Sequence, residues 1–148
     1  RVKRMKKYIG NETFLLTYGD GLANININKL IDFHKNRKKL LTISAVRPPA
    51  RFGALQLDKN SNVLNFREKS QLDESWINGG YMVANPEIFD SINSDQPVLE
   101  KEVLENLARN SDITAYKHEG FWQCMDHKLD KDKFDEMIKR KKMPWLED

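Results

Sequence analysis

The 148-residue chain carries 25 basic and 22 acidic residues, for a formal net charge of +3, and is 39% hydrophobic and 32% charged. That length suits one domain with one core and is short for an enzyme holding two phosphorylated substrates. No run approaches the ~18 apolar residues of a membrane helix, and the small basic surplus, lacking interleaved aromatics, argues against nucleic acid.

Taken in chain order, Val2, Met5 and Ile9 have the spacing of one helix face that stops at Gly10. Arg1 is not an initiator methionine, so the chain reads as starting within an element. Phe14-Leu15-Leu16-Thr17-Tyr18 is a continuous apolar run, the pattern of a strand buried on both faces, and it ends at Gly19-Asp20-Gly21. Asn26 is placed to N-cap a helix in which Ile27, Leu30, Ile31 and His34 share a face, up to the basic run at 37–39. An apolar, β-branched strand over 40–46 follows. Strand, helix and strand in this order predict a βαβ unit whose first strand ends at a ligand crevice.

Beyond Pro48-Pro49, segments 54–57 and 63–67 read as a hairpin around a polar turn. A strand is predicted over 77–84, a short helix over 86–92 and a longer helix over 99–108 with Val103, Leu104 and Leu107 inward. Further strands are predicted over 113–116 and 121–125. A closing helix from about 131 to 141 packs through Phe134 and Ile138. Cys124 is the single cysteine, which excludes an internal disulfide framework; with no signal peptide visible, a cytoplasmic location is expected.

Several groups can carry chemistry. Asp20, between Gly19 and Gly21 at a strand end, has open backbone around it and is suited to a phosphate-bridging Mg²⁺, although Gly-Asp-Gly is also an ordinary turn. Asp126 ends a second apolar segment and either joins Asp20 at one magnesium or caps the final helix. Glu68-Lys69 offers a hydroxyl acceptor beside a point charge for phosphate, or else a surface ion pair. Asn78-Gly79-Gly80 marks either close backbone approach to a ligand or a β-bulge. His34, His118 and His127 have no metal-ligand spacing, and no Ser-His-Asp or Cys-His set is apparent. A sugar 1-phosphate, with a second pKa of about 6, needs no base to become a nucleophile.

In sequence order, Phe14-Leu15-Leu16-Thr17-Tyr18-Gly19-Asp20-Gly21, Pro48-Pro49-Ala50-Arg51-Phe52-Gly53-Ala54-Leu55, Phe66-Arg67-Glu68-Lys69, Ile77-Asn78-Gly79-Gly80-Tyr81 and Gly120-Phe121-Trp122-Gln123-Cys124-Met125-Asp126 resemble the sugar-1-phosphate nucleotidyltransferases. Within that family the resemblance is to the glucose-1-phosphate cytidylyltransferases. It spans nearly all of the chain, 1–148, read as the sugar-phosphate- and metal-binding portion of one domain.

The resemblance implies an α/β, Rossmann-like core with a mixed, mostly parallel sheet. It also implies formation of CDP-glucose and pyrophosphate from CTP and α-D-glucose 1-phosphate. Asp20 and Asp126 would be the Mg²⁺ ligands, and Lys69 would contact the sugar phosphate, with Arg51 a further phosphate contact. Glu68, Asn78 and Gly79 would hold glucose hydroxyls, Gly53 would let the backbone approach the sugar, and Gly19 would be a further substrate-binding position. The resemblance further implies a homo-oligomer, and composition argues against nucleic-acid and membrane partners.

The family's Gly-rich phosphate loop and its later Lys-Pro segment do not appear in this sequence, so the 148 residues alone are expected to give no turnover. A thymidylyl- or uridylyltransferase, a non-catalytic sugar-phosphate-binding module and a metal-dependent glycosyltransferase are the competing readings.

Overall fold

The structure is a computed structural model that describes residues 2–48, 53–68, 75–92 and 99–147. The first residues form a 3₁₀ turn, Val2–Met5, that continues into α1 (Lys6–Ile9). Gly10, at φ +64°, ends it by donating its N–H to Lys6 O.

The central sheet has four strands: β1 (Phe14–Thr17), β3 (Leu41–Val46), β6 (Ile77–Ala84) and β7 (Ile113–Lys117), in the order β1-β6-β3-β7. Strand β3 pairs parallel with β7, while β6 lies antiparallel between β1 and β3. Thus β1, β3 and β7 run in one direction, as the strand-helix-strand pattern predicts, but β6 separates β1 from β3. Two small ribbons lie outside this sheet: β2 (Gly21–Ala23) with β8 (Trp122–Cys124), and β4 (Ala54–Leu57) with β5 (Val63–Arg67).

Alternate residues of β6 face opposite ways. Met82 and Ala84 join Leu41, Ile88, Phe89, Val103 and Leu107 in one buried cluster, whereas Val83 meets Ile25 and Leu30 on the other side. The first side is covered by a 3₁₀ segment, Pro86–Ser91, together with Leu99–Leu104, which is π-helical, and α3 (Glu105–Arg109). The second is covered by α2 (Ile27–Arg37). Layers of helix, sheet and helix result, the architecture of α/β proteins. The strands buried on both faces are β3 and β6. The apolar run at β1 is half-exposed instead, with Leu15 53% accessible, because among the described residues β1 pairs only with β6 and forms a sheet edge.

Helix α2 begins as its sequence indicates. Asn26 is its N-cap, and the Asn26 Oδ1 accepts the Lys29 N–H at 2.9 Å. Asn26→Ala is expected to cost ~1 kcal/mol, read as a lower urea midpoint. His34 is buried in the layer, where it bridges Thr42 Oγ1 (2.8 Å from Nδ1) and Asn85 Oδ1 (3.1 Å from Nε2). An amide oxygen only accepts, so Nε2 carries the proton and Nδ1 receives the Thr42 hydroxyl.

The last helix, α4 (Lys128–Lys139), starts earlier than its apolar spacing indicates, because Asp130 accepts the His127 N–H at 3.1 Å and closes its first turn. Phe134 packs edge-on against Trp145, but Ile138 is 51% exposed. The buried side is instead marked by Asp130 and Phe134. No helix among the described residues is long and apolar enough to cross a membrane.

Candidate active site

The antiparallel register of β2 and β8 sets Gly21 opposite Cys124 and Ala23 opposite Trp122. One step further along the ribbon, Met125 donates its N–H to Asp20 O at 2.8 Å. Asp20 and Asp126, far apart in sequence, therefore emerge side by side from one end of this ribbon, and both are exposed. Asp126 does not cap α4, since His127 takes that position. Its Oδ2 accepts the Cys124 thiol at 3.1 Å. Burial first, and then the Asp126 hydrogen bond, push that thiol up to about 11, so it stays protonated and is a poor nucleophile.

Side-chain hydrogen bonds fix the ribbon to the sheet. Trp122 Nε1 donates to Gly79 O at 2.8 Å, and the Tyr81 hydroxyl donates to Gly21 O at 2.9 Å. Tyr18, which leads into the Asp20 turn, donates its N–H to Gly80 O at 3.0 Å. The aspartate turn and the Asn78-Gly79-Gly80-Tyr81 segment thus form one interlocked unit.

The glycines of that segment have internal reasons. Ile43 faces Met82 and Ala45 faces Asn78, so Gly79, Gly80 and Tyr81 stand opposite Ser44 alone, a β-bulge in β6. Gly80 has φ +82°, and a Cβ on Gly79 would lie 2.7 Å from both Ser44 Oγ and Val46 Cγ1. The bulge accounts for both glycines from within the fold. Asn78 accepts the Gly80 N–H on Oδ1 at 2.9 Å and donates from Nδ2 to the Tyr18 hydroxyl at 3.1 Å. One N–H and one acceptor direction remain on its amide.

The other candidates are placed differently. Gly53 and the exposed Glu68 flank the β4–β5 hairpin, which is separate from the four-stranded sheet. A Cβ on Gly53 would lie 2.7 Å from the Phe66 ring, a packing reason within the hairpin. Gly19 is open, with nothing within 4 Å of an added Cβ. Arg51 and Lys69 lie outside the described residues.

One feature escaped sequence reading: the Arg47 guanidinium and the Lys117 ammonium lie 4.6 and 5.4 Å from the Trp76 ring centre. These residues stand at the ends of β3, β7 and β6 that share the Asp20 end of the sheet. The signal lay in the basic residues at two strand ends, but only the sheet order makes them neighbours.

Among the described residues, no three His, Cys, Asp or Glu side chains are grouped to hold a metal. Asp20 and Asp126 offer exposed carboxylate oxygens at one end of the ribbon. Such a donor set suits a cation that takes its remaining ligands from water and phosphate.

The chain is 42% identical to the glucose-1-phosphate cytidylyltransferase of Salmonella typhimurium over 146 residues, covering 98% of this chain and 56% of that protein. It thus spans little more than half the length of that relative. Identity to the mannose-1-phosphate guanylyltransferase catalytic subunit beta of Drosophila melanogaster is 30%, over 76% of this chain and 31% of that one. Among solved structures, HddC from Yersinia pseudotuberculosis superposes with a TM-score of 0.65 at 21% identity, covering 93% of this chain and 60% of that one, a likeness of fold. The family model described as nucleotidyl transferase matches residues 2–126, so the chain belongs to the nucleotidyl transferase family.

Proposed function

We propose that this chain provides the sugar-phosphate- and metal-binding part of an enzyme that makes CDP-glucose and pyrophosphate from CTP and α-D-glucose 1-phosphate with Mg²⁺. The observation that supports the chemistry best is the Met125-to-Asp20 hydrogen bond, which sets Asp126 beside Asp20 at a ribbon end. Base and sugar are assigned by likeness to the Salmonella cytidylyltransferase.

In this reading an oxygen of the glucose 1-phosphate dianion forms a bond to the α-phosphorus of CTP, and the α–β bridging P–O bond breaks to release pyrophosphate. No protein base is required, because the nucleophile is already ionised near neutral pH. Magnesium, when bound, neutralises charge on the phosphates and orients them. Asp20 and Asp126 would hold it. Lys69 and Arg51 would contact the sugar phosphate, and Gly19, Gly53, Glu68, Asn78 and Gly79 would line the sugar site. For Asn78, the remaining amide N–H and acceptor direction are the groups available. A cytoplasmic location and a homo-oligomeric state belong to the same proposal.

A second reading, transfer of a different nucleotide or to a different hexose phosphate, is favoured by the 30% identity to a mannose-1-phosphate guanylyltransferase subunit. Pyrophosphate release separates the two. The assay uses a chimera in which this chain replaces the matched region of the Salmonella relative, with CTP, dTTP, UTP or GTP and glucose or mannose 1-phosphate. CTP with glucose 1-phosphate is expected to be fastest. A preference for mannose 1-phosphate would reassign the sugar, and glycosyl transfer without pyrophosphate would overturn the reaction class.

A further inference from the structure

Glu100 lies on the π-helical segment Leu99–Leu104, 82 residues from Tyr18 in sequence, and its Oε1 accepts the Tyr18 hydroxyl at 2.6 Å. Glu100 itself is exposed, but its segment is anchored by Val103, which is 1% accessible in the main core cluster. A single turn of π-helix is a common device for aiming one side chain at a functional site.

A phenol has one proton to give. With the proton directed at Glu100, Tyr18 can only accept from Asn78, which must therefore turn Nδ2 toward it at 3.1 Å. The Asn78 Oδ1 is then committed to the Gly80 N–H at 2.9 Å. Both ends of the amide are specified, and the reversed amide would set Nδ2 against the Gly80 N–H, donor against donor. The Gly80 N–H and, through Tyr18, Glu100 together hold the way Asn78 presents its unused donor and acceptor.

We propose that Glu100 is a positioning residue for sugar recognition, acting through Tyr18 to hold the Asn78 amide in the one orientation that reads the hydroxyls of the sugar phosphate. This inference rests on the reading of Asn78 as a sugar contact given above. Its distinguishing feature is a chain of three side chains, Glu100, Tyr18 and Asn78, in which the acid need not touch the ligand.

The test measures binding of glucose 1-phosphate and of inorganic phosphate to the 148-residue chain with Mg²⁺, by calorimetry, and follows the Asn78 side-chain amide by NMR. Glu100→Ala and Tyr18→Phe should each weaken glucose 1-phosphate binding by ~5–10-fold, the scale of one positioned hydrogen bond. The double variant should be no worse than either single one, because both break the same chain of contacts. Glu100→Gln, whose amide oxygen still accepts from Tyr18, should restore most of the affinity. Inorganic phosphate should bind all variants alike, and the Asn78 amide signals should shift in Glu100→Ala.

Equal loss of phosphate and sugar-phosphate affinity would show a general structural role and overturn the inference. So would wild-type glucose 1-phosphate binding in Glu100→Ala while Asn78→Ala binds weakly, an outcome that leaves the sugar site standing. Wild-type chain that binds no glucose 1-phosphate would instead overturn the sugar-site reading and the inference with it. Because Glu100 is exposed, its alanine variant keeps the test decisive even if Tyr18→Phe folds poorly.

Discussion

Asp126→Asn is expected to lower kcat for nucleotidyl transfer by ~10²–10³-fold, the scale of losing one preorganised electrostatic group, in the chimera with the Salmonella relative. The thermal midpoint should stay where it is. Asp126 is exposed, it does not cap α4, and its hydrogen bond comes from the Cys124 thiol, which an asparagine oxygen can still receive. On the proposed metal-binding reading, the substitution removes one of the two carboxylate charges offered to a divalent cation. A weaker cation site shows as a higher Mg²⁺ concentration for half-maximal rate, with partial recovery of kcat at high Mg²⁺. Near-normal kcat at low Mg²⁺ would take Asp126 out of the metal site.

The nearness of Asp20 and Asp126 in the fold was legible as a possibility because both end apolar segments, and strand ends are where such sheets bind ligands. What the sequence left open was whether Asp126 served the helix instead. That depended on His127 and Asp130, whose first-turn hydrogen bond moves the start of α4 back to Lys128. Local propensity at helix termini is weak enough for one such contact to shift the boundary.

The apolar run at Phe14–Thr17 misleads in a different way. Hydrophobicity reports how much a strand can bury, whereas its neighbours decide how much it does bury. Strand β6 enters the sheet between β1 and β3, a pairing across more than sixty residues that no local pattern encodes. For the same reason the Glu100–Tyr18 contact and the two cations beside Trp76 were invisible until the chain order of the sheet was known. The glycines were visible but ambiguous, because close approach to a ligand and close approach to Val46 leave the same mark in sequence.

That ambiguity has an experimental answer in Gly79→Ala, for which a loss of stability of about 1–3 kcal/mol is expected from overpacking, seen as a lower urea midpoint at unchanged slope. An added Cβ would lie 2.7 Å from Ser44 Oγ and from Val46 Cγ1, in the buried middle of paired strands that cannot part without breaking their ladder. The reduced freedom of the unfolded chain offsets only about 0.4–1 kcal/mol of this. Val46→Ala in the same molecule removes both Val46 methyl groups, 2.7 and 3.2 Å from the added Cβ, so the double variant should be less destabilised than the sum of the two single ones. The consequence reaches the candidate site, because Gly79 O receives the Trp122 indole N–H at 2.8 Å and Trp122 opens the strand that leads to Asp126. The Trp122 indole resonance should therefore move in Gly79→Ala and return toward its original position when Val46 is also shortened. If Gly79 served ligand approach alone, the urea midpoint and the indole signal would stay fixed while only glucose 1-phosphate affinity fell.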